Sequence, residues 1–169
     1  QALEAIDMIS TQPVAMELNN TLSAIKQGIN NHSTQMHKVA EMIETLGFSE
    51  KLGLQGSLRA SVHTVEKKLK EATIPELTVK MLMMRRHEKD FMLRSAEKYI
   101  GRIDARRLEF DDILATQDVS QEFRKNISKL LDLYQNDFKA YAKVSTNLKP
   151  EIKNLSKIFA DLTPHFETT

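Results

Sequence analysis

The chain has 169 residues, no cysteine, and 24 basic against 23 acidic residues for a formal charge of +1. That length suits one domain with a hydrophobic core, and the near balance of charge offers no bulk attraction to nucleic acid or anionic lipid. Without thiols there is no disulfide framework, no cysteine nucleophile and no sulfur-ligated metal.

Five Gly, four Pro and 6% aromatic residues leave little vocabulary for turns or strands. The expected fold is all-α: an elongated antiparallel bundle of four main helices, with room for two stacked modules, in a single domain over residues 1–169. No apolar run is long enough to cross a bilayer. A first residue of Gln1 reads as an excised soluble piece of a longer protein.

In chain order, Gln1 to Thr11 reads as a separate turn or an imperfect extension, and Pro13 as a helix start. From Leu18 the apolar steps Leu22, Ile25, Ile29, His32, Met36, Val39, Ile43 and Leu46 alternate by four and three, which places the first helix at about Pro13 to Leu46. Gly47 stops it. Gly47 to Gly56 reads as a corner whose Phe48, Leu52 and Leu54 tuck under a bundle end. Leu58, Val62, Val65 and Leu69 then mark a short second helix ending near Ala72.

Thr73, Pro75 and Glu76 form a helix start, with a capping hydroxyl, a first-turn proline and an acid at the positive end. The third helix is expected to run from there to about Ala115, where Ile100, Ile103, Arg107, Phe110 and Leu114 keep the step. Asp118 or Ser120 caps a fourth helix. Its inner face carries Phe123, Ile127, Leu130, Tyr134, Phe138, Tyr141, Leu148, Ile152, Leu155, Phe159 and Leu162, and Pro150 should bend or divide it near Leu148. At about 1.5 Å per residue the third helix would reach ~60 Å and the second under ~30 Å. The body is then a rod only partly covered by the short helix, unless a helix breaks and folds back.

The sharpest local feature is the polar run Arg85 to Asp90 inside MLMMRRHEKDFMLR, Met81 to Arg94. At helical spacing Val79, Met83, Arg86, Asp90, Leu93, Glu97 and Ile100 share a face, so Arg86 and Asp90 are expected among apolar residues and in need of partners. Asp90 can pair with Arg86 and Arg94, which leaves Arg85, Arg86, Lys89 and Arg94 in cationic excess; a cleft holding that excess would attract an organic anion. On the second helix Arg59 and His63 stand one turn apart, a geometry for gripping a carboxylate. The candidate ligand residues are therefore Arg59, His63, Arg85, Arg86, Lys89 and Arg94.

Other constellations are bland. His32 reads as a core histidine, and the basic steps Arg94, Lys98, Arg102 and Arg106 as a solvent face or a contact with a second protomer. His37, His63 and His87 lack the Glu-x-x-His spacing of a di-iron bundle, so no metal or other cofactor is expected. No phosphate loop or nucleophile elbow appears, so the chain is not read as an enzyme.

GLQGSLRASVHTVEKKL at Gly53 to Leu69, MLMMRRHEKDFMLR at Met81 to Arg94 and LLDLYQNDFKAYA at Leu130 to Ala142 together resemble the helical bimodular sensor domains of bacterial methyl-accepting chemotaxis proteins. The likeness spans about Gly47 to Leu162. It implies an extracytoplasmic, periplasmic ligand-binding domain of an inner-membrane receptor, recognising a small molecule such as an organic acid between helices. It also implies a homodimer, helix displacement as the signal, and membrane contact only through flanking transmembrane helices. Domains of that family usually run well beyond this length. The rival expectation is a structural bundle, a scaffold or adaptor with no small-molecule ligand.

Overall fold

A computed structural model describes residues 3–6 and 16–167, and no strand occurs among them. The expected start at Pro13, and most of Gln1 to Thr11, lie outside the described residues. A helical turn at 3–6 precedes α1 (Met16–Leu46), α2 (Gly53–Ala72), α3 (Pro75–Arg94), α4 (Lys98–Thr116) and α5 (Gln121–Glu167). The chain divides into two compact units: one takes the described residues up to Met42 and from Asn147 onward, the other Ile43–Thr146.

In the first unit Ile6, Leu22 and Ile25 are buried together with Ile29 against them. Gly28 faces Leu162, where a Cβ would come within 2.4 Å of the leucine Cδ1. One turn beyond Asn31, the buried Gln35 donates from Nε2 to the Glu151 carbonyl at 2.9 Å and to its carboxylate at 2.8 Å. Lys38 adds an ion pair at 2.7 Å. Hydrogen bonds from Gln35 and then Lys38 hold the Glu151 carboxyl below its ordinary range. Residue numbers fall on α5 as they rise on α1, so these two stretches run in opposite directions. His32 is half-buried with its ring 5.9 Å from Phe159.

The second unit begins at the corner. Gly47 sits at φ +107 and Gly53 at φ +55, a region that L side chains rarely enter. A Cβ on Gly47 would lie 2.0 Å from the Leu52 carbonyl oxygen, so the reversal needs glycine there for both reasons. The helix resumes at Gly53, earlier than the expected corner allows. Phe48 and Leu52 point outward, 69% and 56% exposed, and do not tuck beneath a bundle end.

Leu58, Val62, Val65 and Leu69 form the buried stripe of α2 as their spacing requires. Thr73 acts differently from its expected role. It takes φ 54 and closes α2, with its N–H on the Lys70 carbonyl and the next N–H, of Ile74, on Leu69, a left-handed helix end. Pro75 and Glu76 open α3 with no side-chain cap.

The expected third helix is two helices. Ser95 adopts φ 51, ψ 33 with its N–H bonded to the Phe91 carbonyl at 2.7 Å, and the chain folds back as α4. Lys80 on α3 meets Glu109 on α4 at 2.5 Å, while Arg94 meets Tyr99 across the turn at 2.7 Å, so α3 and α4 run in opposite directions and pack closely.

This break resets the helical phase, and with it the face of α3. Leu77, Met81, Met84, Glu88 and Phe91 are buried, whereas Val79, Met83 and Leu93 of the expected inner face are 53%, 37% and 82% exposed. On α4, Tyr99, Ile103, Arg107, Phe110 and Leu114 are buried.

Ser120 caps α5, its hydroxyl accepting the Phe123 N–H at 3.1 Å. Ile127, Leu131, Tyr134, Phe138 and Ala142 fill the core, with Leu131 in the place expected of Leu130. Phe91 and Phe138 meet edge to face, centroids 5.5 Å apart. Pro150 lies inside α5 without dividing it; the division between units falls one turn earlier, after Thr146, whose carbonyl is the one a proline at 150 leaves without its helical N–H.

Replacing Gly47 with Ala should cost about 2 kcal/mol through left-handed strain and carbonyl overlap, a fall of ~4–8 °C in thermal midpoint for a chain of this size. Gly101→Ala, where an added Cβ meets nothing within 4 Å, should not lower it. Calorimetry of the two variants distinguishes the corner from a generic glycine effect.

Candidate functional site

Glu88 is the centre of the polar interior. Its side chain is 1% exposed, and Arg85 one turn back donates from Nη1 to both carboxylate oxygens at 2.8 Å. Lys89 approaches at 3.4 Å. A buried carboxylate without such a partner would be strongly unfavourable. From α5 the buried Tyr134 hydroxyl faces this carboxylate without a hydrogen bond of good geometry. Burial first, and the Glu88 charge second, push its pKa well above the ordinary phenol value and raise that of Tyr141.

Beside the pair lies a cleft of about 40 Å³ lined by Glu50, Gln55, Arg59, Arg85, Glu88 and Lys89, with Met92 at its edge. Arg59 reaches it from α2 and pairs with Glu50 at 2.6 Å, both partners substantially exposed. Room of that size suits a water or a carboxylate-sized group, not a whole metabolite. Three of the six candidate residues, Arg59, Arg85 and Lys89, thus come together.

The other three do not join them. His63 is 58% exposed and lies 3.5 Å from Glu66 on its own helix. Arg86 is exposed, because the face it shares with Val79 and Leu93 points outward. Arg94 is 64% exposed, 3.5 Å from Asp90, and donates to the Tyr99 hydroxyl. The Arg86–Asp90 pairing expected in the core is replaced by Arg85–Glu88, of which Glu88 is the next inward position after Leu77, Met81 and Met84.

The basic stripe continues on α4. Lys98 and Arg102 each stand 5.3 Å from the Tyr99 ring centroid, a cation–π distance, and the His87 ring lies 6.2 Å from the same tyrosine. Burial, then the charges of Arg102, Arg106 and Arg86, hold the His87 pKa below 6.5, with Asp90 opposing. Its Nδ1 is buried without a partner. Arg106 and Lys80 both bind Glu109, Lys80 the stronger influence in lowering its pKa.

Larger clefts also occur among the described residues. One of about 260 Å³ belongs to the first unit, beside Gly28, Asn31 and Leu162; another, about 470 Å³, lies between α4 and the start of α5 in the second. Among the described residues no group of His, Asp and Glu has the arrangement to hold a metal, and no helix is long and apolar enough to cross a membrane. No family model, curated protein or solved structure matches the chain.

Removing Arg85 leaves the Glu88 carboxylate stranded, so Arg85→Ala should destabilise by about 3–5 kcal/mol, while Arg86→Ala should stay within ~0.5 kcal/mol of the parent. Urea unfolding of both variants decides which arginine belongs to the interior.

His87 gives a pH signature. Because its folded pKa is lowered, the unfolded chain binds the extra proton and stability falls as pH drops through 6.5 and below. Replacing His87 with Gln should flatten the midpoint-against-pH curve from 6.5 downward. The loss from Glu109 and Glu151, whose carboxyls lie below 4.5, should remain at lower pH.

Proposed function

We propose that this chain is the extracytoplasmic ligand-binding domain of a bacterial chemoreceptor of the helical bimodular type. In this reading α2, α3, α4 and the first part of α5 form an antiparallel four-helix module, and the first unit belongs to a second module. The observation that carries the reading is the sharing of helices: α1 and α5 each contribute residues to both compact units, while α2, α3 and α4 lie wholly in one. A displacement of either long helix in one unit is then available to the other through continuous helical backbone, with the one hydrogen bond that Pro150 omits marking the passage in α5, which suits relay by small sliding motions.

The ligand is proposed to be a small organic acid whose carboxylate enters the cleft beside Glu88. Arg59 and Lys89 are the receiving cations, since Arg85 is already engaged by Glu88 and the partners of the other two are exposed or distant. The ligand would favour one of two helix packings only by its difference in affinity for them. The receptor would act without catalysis, as a periplasmic homodimer held in the inner membrane by flanking spans.

The rival is a scaffold or adaptor bundle in which Arg85–Glu88 fixes helix register and nothing binds. Thermal melting against a panel of organic acids, amino acids and amines separates the two. A ligand at 100 times its Kd should add about 2.7 kcal/mol, with the response to an organic acid lost in the double variant Arg59→Ala, Lys89→Ala. A panel with no ligand-specific rise supports the scaffold. An organic-acid response that survives the double variant removes the acid from this cleft.

A further inference from the structure

We propose that the 470 Å³ cleft between the C-terminal half of α4 and the start of α5 is a separate binding site, for a small amino acid in its zwitterionic form. The site does not depend on the receptor reading, nor on the cleft beside Glu88.

Arg107 is the buried cation of its lining. Only 8% exposed, it directs Nε to both oxygens of Asp111 at 3.0 Å and Nη2 to Asp132 at 2.9 Å. Its third nitrogen, Nη1, is buried with no acceptor. A guanidinium normally finds an acceptor for each edge of its fork, so Nη1 is a donor left to be filled, by an oxygen-bearing guest once the guanidinium turns. Asp132 is 63% exposed and can surrender its bond to water, which lets the guanidinium turn Nη1 and Nη2 together toward a carboxylate.

The wall is held in place by Arg124, whose two terminal nitrogens donate to the carbonyls of Leu114 and Gln117 at the end of α4. That locks the α4–α5 connection around the opening. Leu114 gives an apolar surface, and Ser128 and Gln121 give hydrogen-bonding groups.

The charge pattern selects the guest. Arg107 and Arg124 in the lining are matched by Asp111 there and by the exposed Asp132 paired to Arg107, so the surroundings favour neither a bare anion nor a bare cation. A molecule carrying both charges a few bonds apart fits: its carboxylate on the Arg107 fork, and its ammonium on Asp111, which is 41% exposed and retains acceptor capacity beyond its bonds to Arg107.

Isothermal titration calorimetry of the intact chain with each of the proteinogenic amino acids tests the proposal, with propionate and ethylamine as the two halves of alanine. At least one small amino acid should bind saturably, and neither half molecule should bind comparably. Asp111→Asn, checked for folding by circular dichroism, should weaken that binding on the order of tenfold or more. Arg107→Lys, checked for folding by circular dichroism, should weaken it further through loss of the fork. Lys89→Ala, in the other cleft, should leave it unchanged. The proposal is overturned if no amino acid binds below millimolar concentration, if propionate or ethylamine binds as well as alanine, if Asp111→Asn has no effect, or if Lys89→Ala abolishes binding. Organic-acid binding lost on Arg59 and Lys89 substitution, with this site silent, would leave the receptor reading standing and remove only this one.

Discussion

Ser95 is a non-glycine residue held in the left-handed region, with its N–H on the Phe91 carbonyl. That conformation costs an L-residue about 1 kcal/mol or more, and it persists because packing on both sides of the turn offsets the strain. Tyr99, one turn on, is buried with its hydroxyl taken by Arg94, and Phe91, one turn back, packs edge to face on Phe138. Everything in the second unit depends on this reversal. It makes neighbours of two stretches that would otherwise lie at opposite ends of one long helix, and it sets which face of α3 looks inward.

With that face fixed, two charged residues enter the interior. Glu88 on α3 and Arg107 on α4 are the buried charges among the described residues, and the chain treats them differently. Glu88 receives Arg85 Nη1 on both oxygens from its own helix, so its charge is met within α3. Arg107 depends on Asp111 from its own helix and Asp132 from α5, which ties α4 to α5 at one register; Gln135 and Lys139 on Asp104 pin the same pair of helices again. Buried polar contacts of this kind add little net stability but penalise a slipped register heavily, since slipping leaves a charge unpaired. The apolar stripes supply the driving force, and the charges choose among the alignments those stripes would accept.

The sequence is most readable where the four-three step runs uninterrupted. The α2 stripe Leu58 to Leu69, the α4 stripe Ile103 to Leu114 and most of the α5 core follow from spacing alone, as does the Ser120 cap. Spacing fails at Ser95 because no glycine or proline marks the stop and Arg94, Ser95 and Ala96 are all tolerable inside a helix. Counting back from Ile100 through that point carries the phase of α4 into α3 and selects Arg86 and Asp90 in place of Arg85 and Glu88. The error is a rotation of roughly half a turn of α3, and it moves Arg86 and Arg94 of the candidate site to the outside; His63, on α2, lies outside it independently. Thr73 shows a related ambiguity, since the same short polar residue that can cap the helix after it can also close the helix before it. Arg107 falls at an inward step of the pattern, but only the positions of Asp111, Asp132 and Arg124 around it show an unfilled fork beside a cleft, and those contacts join two helices.

The reversal at Ser95 is open to direct measurement, because the chain has no native cysteine. Leu82 and Leu108 are both exposed, at 54% and 68%, and flank the Lys80–Glu109 contact, so Leu82→Cys and Leu108→Cys accept spin labels without disturbing the core. Pulsed electron resonance should give a label separation under about 20 Å if α3 and α4 fold back on one another, whereas one continuous helix at about 1.5 Å per residue would hold the two positions ~39 Å apart. The short distance is the result required here, and the long one would contradict the inward placement of Glu88 and all that is built on it.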